Sequence, residues 1–251
     1  MRNVNLAVDI MYINEIPFVI MTSWAIHFGM AELIKNEKIS TMIALNQLEA
    51  YKARGFKICR ILADGQFEHA QKHIEQIGII LNITSWDEHV PEIERFIRTV
   101  KIRVWAIFNT LPFEQYPNRL IVETAYNAIF WLNCFPHKDG IHPTLSPRMI
   151  ITGSTIDYNK HCALQFSTYV QVHEPHNNSL LLRTTGAIAL SPSGNMQGGY
   201  YFMSLTSGKG SSETNGQYCP CQPKLLPLCT NSWRHVRNIR ALCLWTKKAI
   251  S

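Results

Sequence analysis

Between residues 5 and 28, apolar and polar side chains alternate in three short runs, Asn5–Tyr12, Pro17–Met21 and Ala25–Phe28, with Asn14-Glu15 between the first two. A period of two is the strand period, and short polar breaks between such runs predict three antiparallel strands. Beyond Phe28, helices and strands alternate. Ser40–Arg54 places Ile43, Leu45, Leu48 and Tyr51 near helical spacing and stops at Gly55. Lys57–Ala63 reads as a strand running into Asp64-Gly65, His69–Gln76 as a short helix closed by Gly78, and Ile79–Ile83 as another strand. A long helix is predicted from Pro91 to about Asn109, and a second from Asn118 to about Asn133, ended by Pro136. Three strands, helix, strand, helix, strand, then helices is an α/β order with a mixed five-stranded sheet flanked by helices. Beyond Pro143 the runs Thr168–His173, Gly186–Leu190 and Tyr200–Leu205 predict a small β-rich appendage.

A chain of 251 residues that is 46% hydrophobic can bury a substantial core. No apolar run reaches the roughly 18 residues of a membrane span, and the amino terminus reads as a strand rather than a signal peptide. The expectation is an intracellular protein, nuclear or cytoplasmic, without a membrane partner. The net charge of +6 is unevenly spread, because residues 210–251 carry six of the 24 Lys and Arg but only one of the 18 Asp and Glu, Glu213. Overall basicity therefore says little about nucleic acid, and a binding claim must rest on local pattern. Cys219, Cys221, Cys229 and Cys243 crowd the same tail, whereas Cys59, Cys134 and Cys162 are scattered and read as reduced core cysteines.

Three carboxylates stand out by position. Asp9 lies inside the first apolar strand, Asp64 ends the fourth, and Glu94 sits near the start of the long helix. An ionised carboxylate in a core strand is costly unless it is paired or metal-bound. Two or three converging at strand ends suit two-metal phosphoryl chemistry, in which hard oxygen ligands hold paired ions about 4 Å apart. By residue type alone, a lone strand Asp is more often a turn residue or a salt-bridge partner, and Asp64-Gly65 can be a plain turn. His27, His69, His73 and His89 fit no zinc spacing.

The string Ile61-Leu62-Ala63-Asp64-Gly65-Gln66-Phe67-Glu68 resembles the second-aspartate motif of copia-type LTR retrotransposon integrases, members of the retroviral integrase-like superfamily. Glu94-Arg95 followed by Arg98-Thr99 resembles the same family's third motif, and Val8-Asp9 ahead of an apolar strand matches the first. Asn127, Trp131, His142-Pro143-Thr144 and Thr152-Gly153 lie where the family carries its Asn-rich helix and its Pro-x-x-x-x-x-Gly segment. The resemblance covers about residues 4–209. It implies an RNase H-like fold and a DNA integration activity, with 3′-end processing and strand transfer at one site. It further implies that Asp9, Asp64 and Glu94 hold two Mg²⁺ or Mn²⁺ ions, and that the partners are element and target DNA and further copies of the chain.

The chain also departs from the family. The interval between Asp64 and Glu94 is shorter, and Asp87-Glu88-His89-Val90-Pro91 replaces a Gln-Asn-Gly loop, which leaves Glu92 as a rival third ligand. Two helix positions two apart point about 200° from each other, so only one of the pair can face the aspartates. Glu94 is preferred because Arg98 and Lys101 then follow at i+4 and i+7, where with Arg95 they could bind the DNA backbone. By residue type alone, Arg98 and Lys101 can equally form a solvated helix face. Only eight residues precede Asp9, which leaves no room for the family's His-His-Cys-Cys zinc module, so an amino-terminal truncation is expected.

These readings divide the chain into an RNase H-like catalytic core at 1–145, a linker with a small β-rich module at 146–209, and a disordered tail at 210–251. One choice of codons for 210–217, read one nucleotide earlier, restores a family-like continuation, so the tail is read as a frameshift. A zinc knuckle of Cys219, Cys221, Cys229 and His235 is the rival, with a Cys-x-Cys start at the wrong spacing. Trp24, Trp86 and Trp105 stand among polar neighbours, each one nucleotide from Arg. The functional alternatives are an inactive nucleic-acid-binding remnant of a transposable element, and an RNase H-like nuclease acting on RNA or hybrids.

Overall fold

The structure is a computed structural model that describes residues 2–34, 48–83, 90–111, 117–173, 184–205, 210–213 and 216–217. The chain divides into two units, one made of Met1–Trp105 and Ala128–Thr155, the other of Ala106–Asn127 and the described residues from Ile156 onward.

The first unit is built on a five-stranded sheet. Strands β1 (Arg2–Ile13), β2 (Ile16–Ser23) and β3 (Gly29–Leu33) form the antiparallel meander, and β4 (Phe56–Ala63) and β5 (Ile80–Ile83) come after it. The order is β3-β2-β1-β4-β5, with β4 parallel to β1 and β5 parallel to β4. This is the mixed sheet the sequence predicts, in an RNase H-like arrangement. Asn14 and Glu15, at φ 47° and 65°, make the tight reversal between β1 and β2. Helix α1 is described over residues 48–53, α2 is Gln71–Gln76 behind a 3₁₀ turn at Gly65–Ala70, and α3 is Pro91–Thr110. Then come α4 (Asn118–Cys134), α5 (Pro147–Thr152) and α6 (Tyr158–His161). Gly55 and Gly78, at φ 79° and 78°, end α1 and α2 in the left-handed region that favours glycine.

One face of β1 presents Val4, Leu6 and Val8 to a core with Val19, Met21, Ile61, Phe67, Leu48 and Tyr51. Alternation puts Asp9 on the other face, beside its cross-strand partner Ile20. Ala7, Met11 and Ile20 are buried there too, so β1 is covered on both faces over much of its length. Among the side chains of β1 whose burial is described, Asp9 is therefore the one charged group set among core positions.

One strand is displaced from its prediction. The third begins at Gly29 rather than Ala25, because the chain from Trp24 to Ile26 turns. The His27 N–H donates to the Ser23 carbonyl (2.9 Å), the Phe28 N–H to Ser23 Oγ (3.2 Å), and His27 adopts φ 57°. The apolar alternation of Ala25–Phe28 is that of a turn tucking Ile26 and Phe28 into the core.

The second unit carries an antiparallel sheet of order β10-β6-β7-β8-β9, made of β6 (Tyr169–His173), β7 (Thr184–Pro192), β8 (Tyr200–Ser204), β9 (Gly210–Glu213) and β10 (Gly216–Gln217). Leu120, Ile188, Leu190, Met203 and Leu205 cluster on one face. Val170, Val172, Ala187, Ala189, Tyr200 and Phe202 cluster on the other. Within the tail expected to be disordered from residue 210, residues 210–213 pair with β8 and 216–217 with β6. Residues 218–251, with the zinc-knuckle cysteines, lie outside the described residues, as do Trp86, His89 and 40–47 of the first predicted helix.

Candidate active site

The parallel pairing of β1 with β4 decides where the two aspartates stand. Val4 is opposite Ile58 but Asn5 is opposite Arg60, so β4 carries one extra residue, Cys59, at that point. An insertion of this kind shifts every later pair by one position. The last rung becomes Val8 with Ala63, and the next residue on each strand is an aspartate, Asp9 and Asp64. Without the step, Asp9 would fall beside Ala63. The sequence gives no local sign of this bulge, since pairing register is not encoded by residue type in one strand.

Both aspartates take up the same local arrangement. Asp9 Oδ1 accepts from the Ile10 N–H, and Asp64 Oδ1 accepts from the Gly65 N–H, each at 2.6 Å. The Asp64 contact caps the adjoining 3₁₀ turn. Asp9 is half-buried and Asp64 exposed.

The electrostatics of Asp9 show which other groups come near. Burial pushes its carboxyl above the ordinary value, the Ile10 amide pulls it back, Asp64 and Glu94 raise it again, and Lys101 lowers it. Asp9, Asp64, Glu94 and Lys101 thus share one electrostatic neighbourhood. Of the two glutamates weighed for the third position, Glu94 is exposed and acts on Asp9, and Glu92 is half-buried. Arg95 acts instead on His27. Arg98 is exposed on α3.

Among the described residues no three His, Cys, Asp or Glu side chains are grouped closely enough to hold an ion as they stand. The chemistry of the donor set nevertheless fits a hard cation. All three groups are carboxylates, the ligand type that suits Mg²⁺ or Mn²⁺ rather than zinc. Two like charges act to raise Asp9, a repulsion that a bound cation would relieve.

A carboxyl held above its unfolded value binds more protons in the folded chain, so its contribution to stability falls as pH rises from the ordinary value of 3.8 through the raised one. Asp9→Asn removes a desolvated charge and is expected to raise Tm at pH 7 in EDTA by about 2–4 °C, the shift made by about 1 kcal/mol in a chain of this size. The gain should disappear below pH 3.8. Thermal melts across pH check this, and a variant less stable than the parent at pH 7 would show that Asp9 is a paired structural carboxylate.

Three of the histidines weighed as ligands, His27, His69 and His73, are among the described residues. His27 stacks on His137 with centroids 3.8 Å apart and interplanar angle 21°, and its Nε2 faces the Asp139 carbonyl at 3.4 Å. Burial, then His137, holds it below its ordinary value. His69 and His73 are exposed on the surface of the 3₁₀ turn and α2.

A second set of residues, unmarked by the sequence, joins Gly29 of β3 to Asn133 of α4 and to Phe96 of α3, the helix that carries Glu94. The Gly29 N–H donates to Asn133 Oδ1 (2.8 Å), and Asn133 Nδ2 donates to the Gly29 carbonyl (2.7 Å). The ring of Phe96 lies against Gly29, where a Cβ would meet its Cε1 and Cε2 at 2.6 and 2.8 Å and Cζ closer still. Phe96 is two residues beyond Glu94, so the first strand-edge glycine and α3 are positioned together.

No family model and no curated protein matches the chain. Among solved structures, the chain is similar to the catalytic core domain of BIV integrase, with 16% identity over 59% of this chain and 93% of that one, at a TM-score of 0.44.

Proposed function

We propose that the first unit is a metal-dependent polynucleotidyl transferase of the copia-type integrase class, acting on DNA in 3′-end processing and strand transfer. The observation that carries this reading is the end of the parallel β1–β4 pairing at Val8 and Ala63, after which the next residue on each strand is an aspartate, Asp9 and Asp64, with Glu94 acting on Asp9. Asp9, Asp64 and Glu94 would hold two Mg²⁺ or Mn²⁺ ions, which when bound supply charge stabilisation for the attacking and leaving oxygens of a phosphodiester. The chain itself contributes position. The sheet fixes two carboxylates, α3 brings the third, and Arg95, Arg98 and Lys101 on that helix offer cations to the phosphates. No side chain need form a covalent intermediate. DNA, and other copies of the chain, are the partners of this reading, in the nucleus or cytoplasm.

The test is nicking and strand transfer on a labelled duplex in Mn²⁺, with Asp64→Asn as control. Activity in the parent that falls at least about a hundredfold in the variant, the size of loss when a transition-state charge partner is removed, supports the reading. The absence of a closed ligand group among the described residues favours a second reading, a nucleic-acid-binding remnant without catalysis. Folded parent that binds DNA but cuts no more than Asp64→Asn would select it.

A further inference from the structure

Within the first unit, α3 carries a straight stripe of four exposed residues: Glu94, Arg98, Lys101 and Trp105. At 100° per residue, positions 0, 4, 7 and 11 fall within about 60° of one another, and the stripe is about 16 Å long. The buried residues Ile93, Val100 and Val104 lie on a different face. Trp105 is 68% exposed, far more than an indole shows when it serves packing. The stripe therefore begins at the carboxylates, passes two cations and ends on an open aromatic ring.

We propose that Trp105 is a base-stacking residue, and that a DNA strand seated at Asp9, Asp64 and Glu94 follows the stripe to it. The proposal rests on the polynucleotide reading of that site and adds a specific contact to it. Its length agrees: at 3.4 Å per nucleotide of a stacked strand, 16 Å spans about five nucleotides. Its chemistry agrees too, since cations that track a backbone next to an aromatic face form the common platform for unpaired bases. A second copy of this chain fits the stripe less well. A two-fold contact centred there would set Arg98 and Lys101 against their own symmetry mates, and like charges repel. A polyanion with π faces satisfies both the cations and the indole.

The experiment compares binding of a fluorescent ten-nucleotide oligothymidylate with an abasic strand of the same length and charge, in EDTA, so that no catalysis is involved. The parent should prefer the strand with bases by about 5- to 150-fold, the range of one base stacked on an aromatic side chain. Trp105→Ala should bind both strands equally, and Trp105→Phe should keep most of the preference. Lys101→Ala should weaken both strands alike and lower the slope of log K against log salt by about one. Asp64→Asn should keep the preference, which separates this proposal from the catalytic one: loss of cleavage with the preference retained leaves the stacking site standing. A parent that binds neither strand at low salt, or does not discriminate between them, overturns the proposal. So does Trp105→Ala with its preference intact, or a Trp105→Ala chain whose only change is a smaller sedimenting mass.

Discussion

Asn133→Asp is expected to destabilise the first unit by about 3–5 kcal/mol at pH 7, the cost of a buried polar contact turned repulsive. Asn133 is 6% exposed and meets both hydrogen-bonding groups of Gly29 at once, its oxygen on the N–H and its nitrogen on the carbonyl. Those two partners fix the amide's orientation, since a backbone N–H needs an acceptor and a carbonyl needs a donor. Aspartate keeps the first bond but sets an ionised oxygen against the Gly29 carbonyl. A protonated carboxyl can donate there, so folding should raise the pKa of the new group. Its stabilising bond is then present below the unfolded carboxylate value of about 3.9 and is lost as pH rises through the folded value. The difference in stability between variant and parent should therefore narrow on acidification, which urea unfolding at several pH values would show. Asn133→Ala should lack this pH dependence while still costing about 2–4 kcal/mol, for two buried backbone groups left unmet. An aspartate variant as stable as the parent at pH 7 would mean the bracket contributes nothing to the fold.

This bracket marks the boundary of what the sequence displays. The long helices α3 and α4 are legible because amphipathic spacing over 20 and 17 residues outweighs local ambiguity. Asp9 and Asp64 are legible because a charge inside an apolar strand, or at its end, is visible in one dimension. Glycine at the start of β3 is not, since a residue without a side chain weakens a strand reading, whereas Ala25–Phe28 alternates convincingly and belongs to a turn. Gly29 is fixed by a clearance that only Phe96, 67 positions later, makes necessary. The step at Cys59 is equally silent, because it belongs to a pairing between β1 and β4 and not to either strand. What escapes the sequence at this site is thus the means of alignment, while the groups to be aligned are in plain view.

Gly29→Ala tests that alignment directly. The backbone of Gly29 lies in an ordinary strand, paired with Thr22, so alanine meets no conformational objection there. The objection is spatial, for its methyl would occupy the end of the Phe96 ring. Either the ring swings out of its seat or α3 backs away. Overpacking of this kind costs about 1–3 kcal/mol. In a Phe96→Ala background the same substitution should cost nothing, and could even stabilise by about 0.4–1 kcal/mol through the restricted unfolded chain. The cycle then returns a coupling of about 1.5–3 kcal/mol between two residues distant in sequence. Because Glu94 shares the first turns of α3 with Phe96, the displaced helix should also lose part of any Mn²⁺-induced rise in Tm, beyond what the stability change accounts for. Additive costs would show that Phe96 yields freely and that the glycine is not what seats the helix. Coupled costs with an unchanged response to Mn²⁺ would show that the ring moves alone and α3 holds its place.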